Sequence, residues 1–327
     1  MRAIVAREID GRTRGALEDI DPAALPAGDV LVDVSHSTLS YKDGLAITGK
    51  GKICRNLPMI GGIDLAGTVR ESRDARWKPG DRVLVNGYGL SERHWGGLAE
   101  QASLQAGWLV RLPEAFGAEE GMAIGTAGYT AMLCVQAILD HGTRPDDGPV
   151  LVTGAAGGVG SVAVMLLASL GYRVTAGTGR VAETETFLRG LGASDLLGRE
   201  ALARDTKALE AETWAAVVDT VGDKVLATAL AQTRYEGIVT ACGLAGGAGL
   251  PSSVMPFILR GVTLRGIDSV MASQPRRQAA WEALARLVDR ARLRAIYRVE
   301  PLDAVPALAA ELIAGRVRGR IVIDVRA

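Results

Sequence analysis

The sequence has few of the residues that build a metal centre or a disulfide framework. Its 327 residues include only three cysteines and three histidines, and none of them recurs at the short paired spacing of a zinc site. An odd number of widely separated cysteines argues against a disulfide framework and favours free, buried thiols. We therefore expect neither a metal nor a disulfide.

An excess of charge and the usual targeting segments are lacking as well. Lysine and arginine together number 37, as do aspartate and glutamate, which argues against a general nucleic-acid binder. Residues 1–8 are charged and are typical of a first strand rather than a signal peptide. No apolar stretch is expected to span a membrane. These features predict a cytoplasmic protein of two domains that binds neither nucleic acid nor membrane.

What the chain does contain is a strand, a glycine turn and a helix start at residues 150–161, VLVTGAAGGVGS. Compared with the dinucleotide-binding pattern G-x-G-x-x-G, the aligned residues are Ala155, Gly157 and Gly160. Backbone amides at such a helix N-terminus bind a pyrophosphate. A second strand at residues 172–176 follows the helix, as a Rossmann unit requires. The alternative is a glycine-rich hairpin or helix cap.

The end of that second strand indicates which dinucleotide binds. NAD-binding folds place a carboxylate near this position to accept hydrogen bonds from the ribose, whereas this chain has Gly177, Thr178, Gly179 and Arg180. Thr178 and Arg180 are suited to a 2′-phosphate, so we predict NADPH. Arg199 is a candidate second cation. The alternative is that Arg180 only lies on the surface at a helix start.

The chain is predicted to be an α/β protein in which one domain interrupts another. Alternating patterns at residues 29–34 and 81–85 predict an N-terminal β-barrel. We assign residues 1–122 to a barrel-like catalytic domain, residues 123–258 to an inserted Rossmann NADPH-binding domain with a parallel sheet, and residues 259–327 to a return to the first domain. The other predicted elements are helices at 119–124, 127–141 and 276–292 and strands at 194–197, 215–219, 237–241 and 320–325.

Several longer stretches resemble one family of enzymes. Residues 61–67, GGIDLAG, stand where zinc alcohol dehydrogenases carry Gly-His-Glu, and the histidine is absent. The other stretches that carry the resemblance are residues 41–52, 94–101, 125–132, 219–224 and 255–260. The chain resembles the acryloyl-coenzyme A reductase family, in the zinc-free, quinone oxidoreductase-like branch of the medium-chain dehydrogenase/reductase superfamily. This resemblance implies that the N-terminal domain is GroES-like.

The resemblance also implies a reaction. NADPH would deliver hydride to the β-carbon of acryloyl-coenzyme A, the α-carbon would take a proton, and propionyl-coenzyme A would result, with polar groups stabilising the charge on the thioester oxygen. The family further implies a homodimer. Two alternatives are an NADPH:quinone oxidoreductase and a non-catalytic NADPH-binding protein.

The site residues follow from the same resemblance. The implied NADPH contacts are Tyr41, Ala156, Gly157, Gly158, Val159, Gly160, Thr178, Gly179, Arg180, Arg199, Leu244, Ile258 and Ser269. Tyr41 is also the first catalytic candidate, because a phenol can donate a hydrogen bond and pass a proton; packing is its alternative role. Asp64 is the second, with capping a turn or pairing with an internal arginine as the alternative.

Coenzyme A would bring phosphates that need cations. Lys50, Lys52 and Arg55 form a basic loop close to Tyr41 and are the substrate-binding candidates; an ordinary solvated face is the alternative. Arg316, Arg318 and Arg320 would share one side if their segment is extended. Asp43 is a candidate helix cap.

Overall fold

The computed structural model describes all residues, Met1–Ala327, and forms two compact units. The first unit comprises Met1–Thr126, Ser269–Ala285 and Tyr297–Ala327, and the second comprises Ala127–Asp268 and Arg286–Ile296. The chain therefore passes from the first unit to the second after Thr126, rather than after residue 122, and returns after Asp268, rather than after residue 258. The short segment Arg286–Ile296 belongs to the second unit, which the sequence did not indicate.

The strands are β1 (Arg2–Ile9), β2 (Arg12–Asp19), β3 (Val30–Leu39), β4 (Met59–Ile60), β5 (Asp64–Ser72), β6 (Arg82–Asn86), β7 (Gln101–Leu104), β8 (Val110–Arg111), β9 (Val150–Thr153), β10 (Val174–Thr178), β11 (Asp195–Gly198), β12 (Trp214–Asp219), β13 (Thr233–Ala241), β14 (Thr263–Gly266), β15 (Tyr297–Pro301) and β16 (Arg320–Asp324). The α-helices are α1 (Tyr41–Thr48), α2 (Ala118–Asp140), α3 (Gly158–Ser169), α4 (Val181–Gly190), α5 (Asp223–Gln232), α6 (Met255–Arg260), α7 (Gln274–Leu287), α8 (Arg290–Ile296) and α9 (Val305–Ile313). Single turns of 3₁₀-helix lie at Pro22–Ala24, Ala106–Trp108, Pro145–Asp147, Arg199–Ala201 and Leu302–Ala304.

The first unit is built on antiparallel strands, as the alternating patterns predict. One sheet has the order β2-β1-β4, and a larger one has the order β15-β16-β3-β5-β6-β8, with β7 also paired to β3. Val30, Val32 and Val34 of β3 point into the core, because alternate residues of a strand face the same side. Only β15 and β16 pair in parallel in the larger sheet.

The second unit contains a six-stranded, wholly parallel sheet with the order β11-β10-β9-β12-β13-β14. Both faces of β9 and β12 are buried, which explains their continuous apolar sequences. The strand order reverses at β9, and this switch point is where doubly wound sheets bind ligands. The predicted Rossmann sheet is confirmed.

The helices differ from one prediction and agree with another. The predicted helix at 276–292 is wrong as one element, because α7 ends at Leu287 and α8 begins at Arg290. The two predicted segments on either side of residue 125 are confirmed, because Gly125 has φ 48° and ψ −159° and interrupts the helical backbone of α2.

Helix α2 also corrects the expectation about membrane-length stretches. With 23 residues it is long and apolar enough to cross a membrane by length and composition. However, 83% of its most apolar window is buried within the fold, which is typical of a core helix.

Candidate functional site

The glycine turn of the second unit offers backbone amides to an anion. Strand β9 ends at Thr153, and α3 begins at Gly158 with Gly157 as its N-cap. No side chain caps the first turn, so its amides are available to a ligand. A Cβ on Gly160 would lie 2.7 Å from the Ala155 Cα and would overlap the Gly154 carbonyl oxygen. Glycine is therefore required at this position for the close packing of turn and helix.

A buried carboxylate holds this turn in place. The Thr153 hydroxyl donates to Asp219 Oδ1 at 2.7 Å, and the Gly222 amide donates to Asp219 Oδ2 at 2.8 Å. The Thr220 amide donates in turn to Thr153 Oγ1 at 3.0 Å. Burial raises the pKa of Asp219, while these donors favour its charged form. The network joins the carboxyl ends of β9 and β12 beside the glycine turn.

Two arginines lie at the end of β10, one as the next residue along the chain and one packed against the Gly179 backbone. The Arg180 amide donates to Thr178 Oγ1 at 3.2 Å, and Arg180 is the N-cap residue of α4. A Cβ on Gly179 would lie 2.6 Å from Nη2 of Arg199, so the Arg199 guanidinium rests against the Gly179 backbone. Thr178 is buried, and the segment has no carboxylate. This arrangement suits a phosphate monoester.

The other proposed nucleotide contacts differ in exposure. Leu244 and Ile258 both belong to the second unit and are 63% and 70% exposed. Exposed large apolar side chains in a patch are often covered by a ligand or a partner. Ser269 lies in the first unit, is buried, and accepts a 3.3 Å hydrogen bond at its carbonyl from Arg277.

In the first unit, Tyr41 is the first residue of α1 and its side chain is 47% exposed. The N-cap is Ser40, so the prediction that Asp43 is the cap at which a helix begins is wrong; Asp43 lies in the first turn and completes a capping box with Ser40. The Lys42 ammonium donates to Glu92 Oε2 at 2.7 Å. The half-exposed phenol therefore projects from a helix end that is held on both sides.

Asp64 is fully buried at the start of β5, and its carboxylate is surrounded by donors. Thr38 Oγ1 and Asn86 Nδ2 each donate at 2.8 Å, and Thr126 donates through its amide at 2.9 Å and through its hydroxyl. Arg320 Nη2 lies 3.8 Å from Asp64 Oδ2. These contacts favour the pairing with an internal arginine over the role of a catalytic acid.

The basic candidates of residues 50–55 are exposed, and one of them has a carboxylate partner. Lys50 and Lys52 are exposed, and Arg55 Nε lies 3.6 Å from Glu92 Oε1, the carboxylate that already binds Lys42. The predicted one-sided cluster of Arg316, Arg318 and Arg320 is wrong, because β16 begins only at Arg320 and this residue is buried. Burial lowers the pKa of Arg320, and the charges of nearby carboxylates oppose that shift.

The cysteines are all free, but only Cys134 is buried; Cys54 and Cys242 are half-buried, so the expectation of three buried thiols is wrong for these two. No three His, Cys, Asp or Glu side chains come together as metal ligands.

Two family profiles match the chain. One described as zinc-binding dehydrogenase matches residues 158–290, and one described as alcohol dehydrogenase GroES-like domain matches residues 26–114. The probable acrylyl-CoA reductase AcuI of Escherichia coli is 51% identical over 325 residues, covering 99% of this chain and all of that protein. The acrylyl-CoA reductase AcuI of Ruegeria pomeroyi is 50% identical over 98% of this chain and 97% of that protein. The chain belongs to the acrylyl-CoA reductase family.

Other relatives extend this assignment. The putative quinone oxidoreductase YhfP of Bacillus subtilis is 42% identical over 94% of this chain and 93% of that protein. Among solved structures, the YhdH oxidoreductase of Salmonella enterica in complex with NADP has a TM-score of 0.98 and 50% identity, over 99% of this chain and all of that one. Escherichia coli YhdH with bound NADPH has a TM-score of 0.96 and 51% identity, over 98% and 99% of the two chains. The predicted GroES-like and Rossmann domains are confirmed.

This member of the acrylyl-CoA reductase family also has a buried arginine that the sequence analysis did not predict. Arg277 on α7 is fully buried, donates to the Asn86 carbonyl at 2.6 Å, and lies 4.2 Å from the centre of the Tyr88 ring. The Asn86 side chain accepts from Trp281 Nε1 at 3.1 Å and donates to Asp64. An arginine in a polar helical stretch gives no sign of such burial, because most are exposed.

Proposed function

We propose that the protein is an NADPH-dependent reductase that converts acryloyl-coenzyme A into propionyl-coenzyme A. The observation that carries this proposal is the identity of about half of all residues, over nearly the full length, with two relatives named acrylyl-CoA reductase. The reaction forms a C–H bond at the β-carbon and another at the α-carbon, while the reduced nicotinamide becomes oxidised.

The second unit fits the phosphates of NADPH. The uncapped amides of Gly158, Val159 and Gly160 would bind the pyrophosphate, and Arg180 and Arg199 would pair with the 2′-phosphate. NADPH supplies the hydride when it is bound. The remaining proposed contacts to it are Tyr41, Ala156, Gly157, Thr178, Gly179, Leu244, Ile258 and Ser269.

Tyr41 is proposed to act on the reacting groups, because its phenol is half exposed and can donate a hydrogen bond. Asp64 is proposed to position rather than to transfer a proton, because neutral donors and Arg320 occupy its oxygens. Lys50, Lys52 and Arg55 are proposed to bind the coenzyme A phosphates.

We further propose a homodimer. Strand β14 is an edge of the parallel sheet. The large apolar side chains of Val254 and Leu259, which belong to the same unit, are 64% and 54% exposed. An open strand edge and exposed apolar side chains are features that association covers. Light scattering with size-exclusion chromatography tests this proposal. The cytoplasm is the proposed location, in keeping with three free thiols.

The activity is tested by initial rates of NADPH oxidation with acryloyl-coenzyme A, crotonyl-coenzyme A and a simple benzoquinone, each repeated with NADH. We expect the highest kcat/KM for acryloyl-coenzyme A with NADPH. If the thioesters are inert and the quinone is reduced rapidly, the activity is quinone reduction instead. The 42% identity to a putative quinone oxidoreductase favours this alternative. Tight NADPH binding without turnover on any acceptor would indicate a non-catalytic protein.

A further inference from the structure

We propose that Asp43 is a positioning residue that orients Tyr41 for the reaction by tying the start of α1 to the loop of residues 61–63. This inference rests on the proposed function, which assigns Tyr41 to the reacting groups. Asp43 itself is fully buried, so it acts through its neighbours and not on the substrate.

The carboxylate of Asp43 accepts hydrogen bonds from two separate segments. Its Oδ2 accepts from the amide of Ser40 at 3.0 Å and from the hydroxyl of Ser40 at 2.6 Å. Its Oδ1 accepts from the amides of Gly62 and Ile63, both at 3.1 Å. A capping box with Ser40 needs only Oδ2. Oδ1 therefore makes a connection to the 61–63 loop that capping of α1 does not require.

The loop that Asp43 binds is a fixed support. Gly62 has φ 99°, and a Cβ there would lie 2.5 Å from the Leu98 amide nitrogen. A Cβ on Gly96 would overlap the carbonyls of Gly61 and Gly62, and the amides of Gly97 and Leu98 donate to those two carbonyls at 2.9 Å. Such close backbone packing leaves the loop little freedom to move. A helix end tied to it is held equally firmly.

Tyr41 is the residue that this support controls. It lies between Ser40, which Asp43 binds, and Lys42, whose ammonium binds Glu92 at 2.7 Å. Its side chain is nearly half exposed, so surrounding protein restrains it much less than the backbone does. The direction of the phenol is therefore set largely by the backbone at the start of α1.

Only an ionised carboxylate meets all four donors. Burial raises the pKa of Asp43, and the charge of Asp64 adds to that effect, whereas the donors from Ser40 and Gly62 oppose it. Asparagine at this position offers one acceptor oxygen and turns an N–H group towards donors on the other side. Either Ser40 or the 61–63 loop would then be released.

The test is a double-mutant cycle with Asp43→Asn, Tyr41→Phe and the double variant, followed by kcat, KM for NADPH and Tm. Since misplacing a reacting group by about 1 Å costs up to about 100-fold in rate, we expect Asp43→Asn to lower kcat at least about tenfold. In the Tyr41→Phe background the same change is expected to lower kcat much less, because the group that it misplaces is gone. The KM for NADPH is expected to change much less than kcat, because phosphate contacts in the second unit dominate it and Tyr41 is only one of the proposed contacts.

A matched control is Asp289→Asn. Asp289 Oδ1 accepts from the amides of Ala291 and Arg292 at 2.9 and 3.1 Å, so it caps backbone amides in the second unit without touching Tyr41. We expect normal kcat for this variant. If Asp43→Asn does not fold, Ser40→Ala keeps the Asp43 carboxylate and its bonds to the 61–63 loop. It removes the 2.6 Å bond from the Ser40 hydroxyl and the 3.3 Å cap bond from the Asp43 amide, and it is expected to lower kcat severalfold with the same dependence on Tyr41.

Equal losses of kcat in both backgrounds, or an unchanged kcat in Asp43→Asn, would overturn the positioning role. Full activity of Tyr41→Phe would overturn it as well, because Tyr41 would have no part in the reaction. A wild-type protein that is inert towards acryloyl-coenzyme A would instead refute the proposed function, and this inference with it. The wild-type rate therefore separates the two kinds of failure.

Discussion

The two units hold their candidate sites by different means. In the second unit the glycine turn of residues 154–160 depends mainly on backbone, because glycines allow close packing and the first amides of α3 are uncapped; one buried carboxylate, Asp219, supports it from the adjacent strand end. In the first unit the arrangement depends on buried charged and polar side chains, chief among them Asp64, Arg320 and Arg277. A backbone device fails when a side chain is added, whereas a buried network fails when one is removed.

This difference separates stability from binding. Removing one member of a buried ion pair leaves an uncompensated charge, which destabilises the whole unit. Adding a methyl group to the glycine turn shifts a short backbone segment, and the amides proposed to bind phosphate belong to that segment. Variants in the first unit are therefore expected to unfold more easily, and variants in the second to bind NADPH more weakly while remaining folded.

The largest effect is expected from Arg320→Met. The change leaves Asp64 buried without its cation and removes the donor to the Ala123 carbonyl at 3.1 Å. Breaking a buried pair costs about 3–5 kcal/mol of unfolding free energy, measured by urea denaturation. Adding Asp64→Asn to Arg320→Met is expected to recover part of that loss.

Arg316→Met is the control, because Arg316 is exposed on the segment that leads to β16. Its unfolding free energy is expected to change by no more than about 0.5 kcal/mol. Equal losses in the two single variants would mean that the buried pair has no special weight and that the comparison between units is mistaken.

Next in size is Gly160→Ala. The added Cβ would overlap the Gly154 carbonyl, so the first turn of α3 must shift. Its amides would then no longer point towards the pyrophosphate. Losing two hydrogen bonds to a charged ligand, each about 1.5 kcal/mol, raises the Kd for NADPH about 100-fold. Fluorescence titration with NADPH measures this. Gly190→Ala, where a Cβ meets nothing within 4 Å, is expected to bind normally.

The same contrast explains what the sequence could foretell. The glycine turn spans one short stretch around Gly157 and Gly160, so its strand, glycines and helix could be recognised together. The NADPH prediction likewise used neighbouring residues, Thr178 and Arg180. Nine of the sixteen strands were predicted, and the helical pattern placed the break near Gly125. The strands that were not predicted are β2, β4, β5, β7, β8, β14 and β15.

The network of the first unit could not be foretold, because its members are far apart in the chain. Asp64 meets Arg320, and Asn86 meets Arg277 and Trp281, only after the C-terminal segments return. The alternative of an internal arginine for Asp64 was available from residue type alone, but its partner was not. Glu92, which binds both Lys42 and Arg55, was missed for the same reason.

A smaller effect on binding is expected from Arg180→Ala. One charge-assisted contact to the 2′-phosphate would be lost, which raises the KM for NADPH about tenfold and leaves that for NADH unchanged. Initial rates with both cofactors measure the ratio. Arg189→Ala on the same helix, where the side chain pairs with Glu185 at 2.8 Å, is the control and is expected to change neither. An equal rise in the KM for NADH and for NADPH would show that Arg180 does not bind the 2′-phosphate.

The basic loop of the first unit gives a further, severalfold effect. Changing Lys50, Lys52 and Arg55 to alanine is expected to raise the KM for acryloyl-coenzyme A and to spare benzoquinone, which has no phosphates. Solvent screening and the existing contact of Arg55 with Glu92 keep the effect modest. Equal changes for both acceptors would show that these side chains form an ordinary solvated face.

The smallest effect is expected from Glu210→Gln, which asks whether the second unit also uses charge for stability. The Arg204 guanidinium, with both of its bonds to Glu210 within 2.7 Å, holds the pKa of Glu210 well below its usual range. Because this folded-state pKa is depressed, the stabilisation is present above the ordinary glutamate pKa of 4.5 and is lost as the pH falls below it. Near neutral pH the substitution is expected to cost about 1 kcal/mol of unfolding free energy, as partly exposed pairs do, and the gap from wild type should close in acid. A loss as large as that of Arg320→Met, or a gap independent of pH, would mean that the two units do not differ in how they use charge.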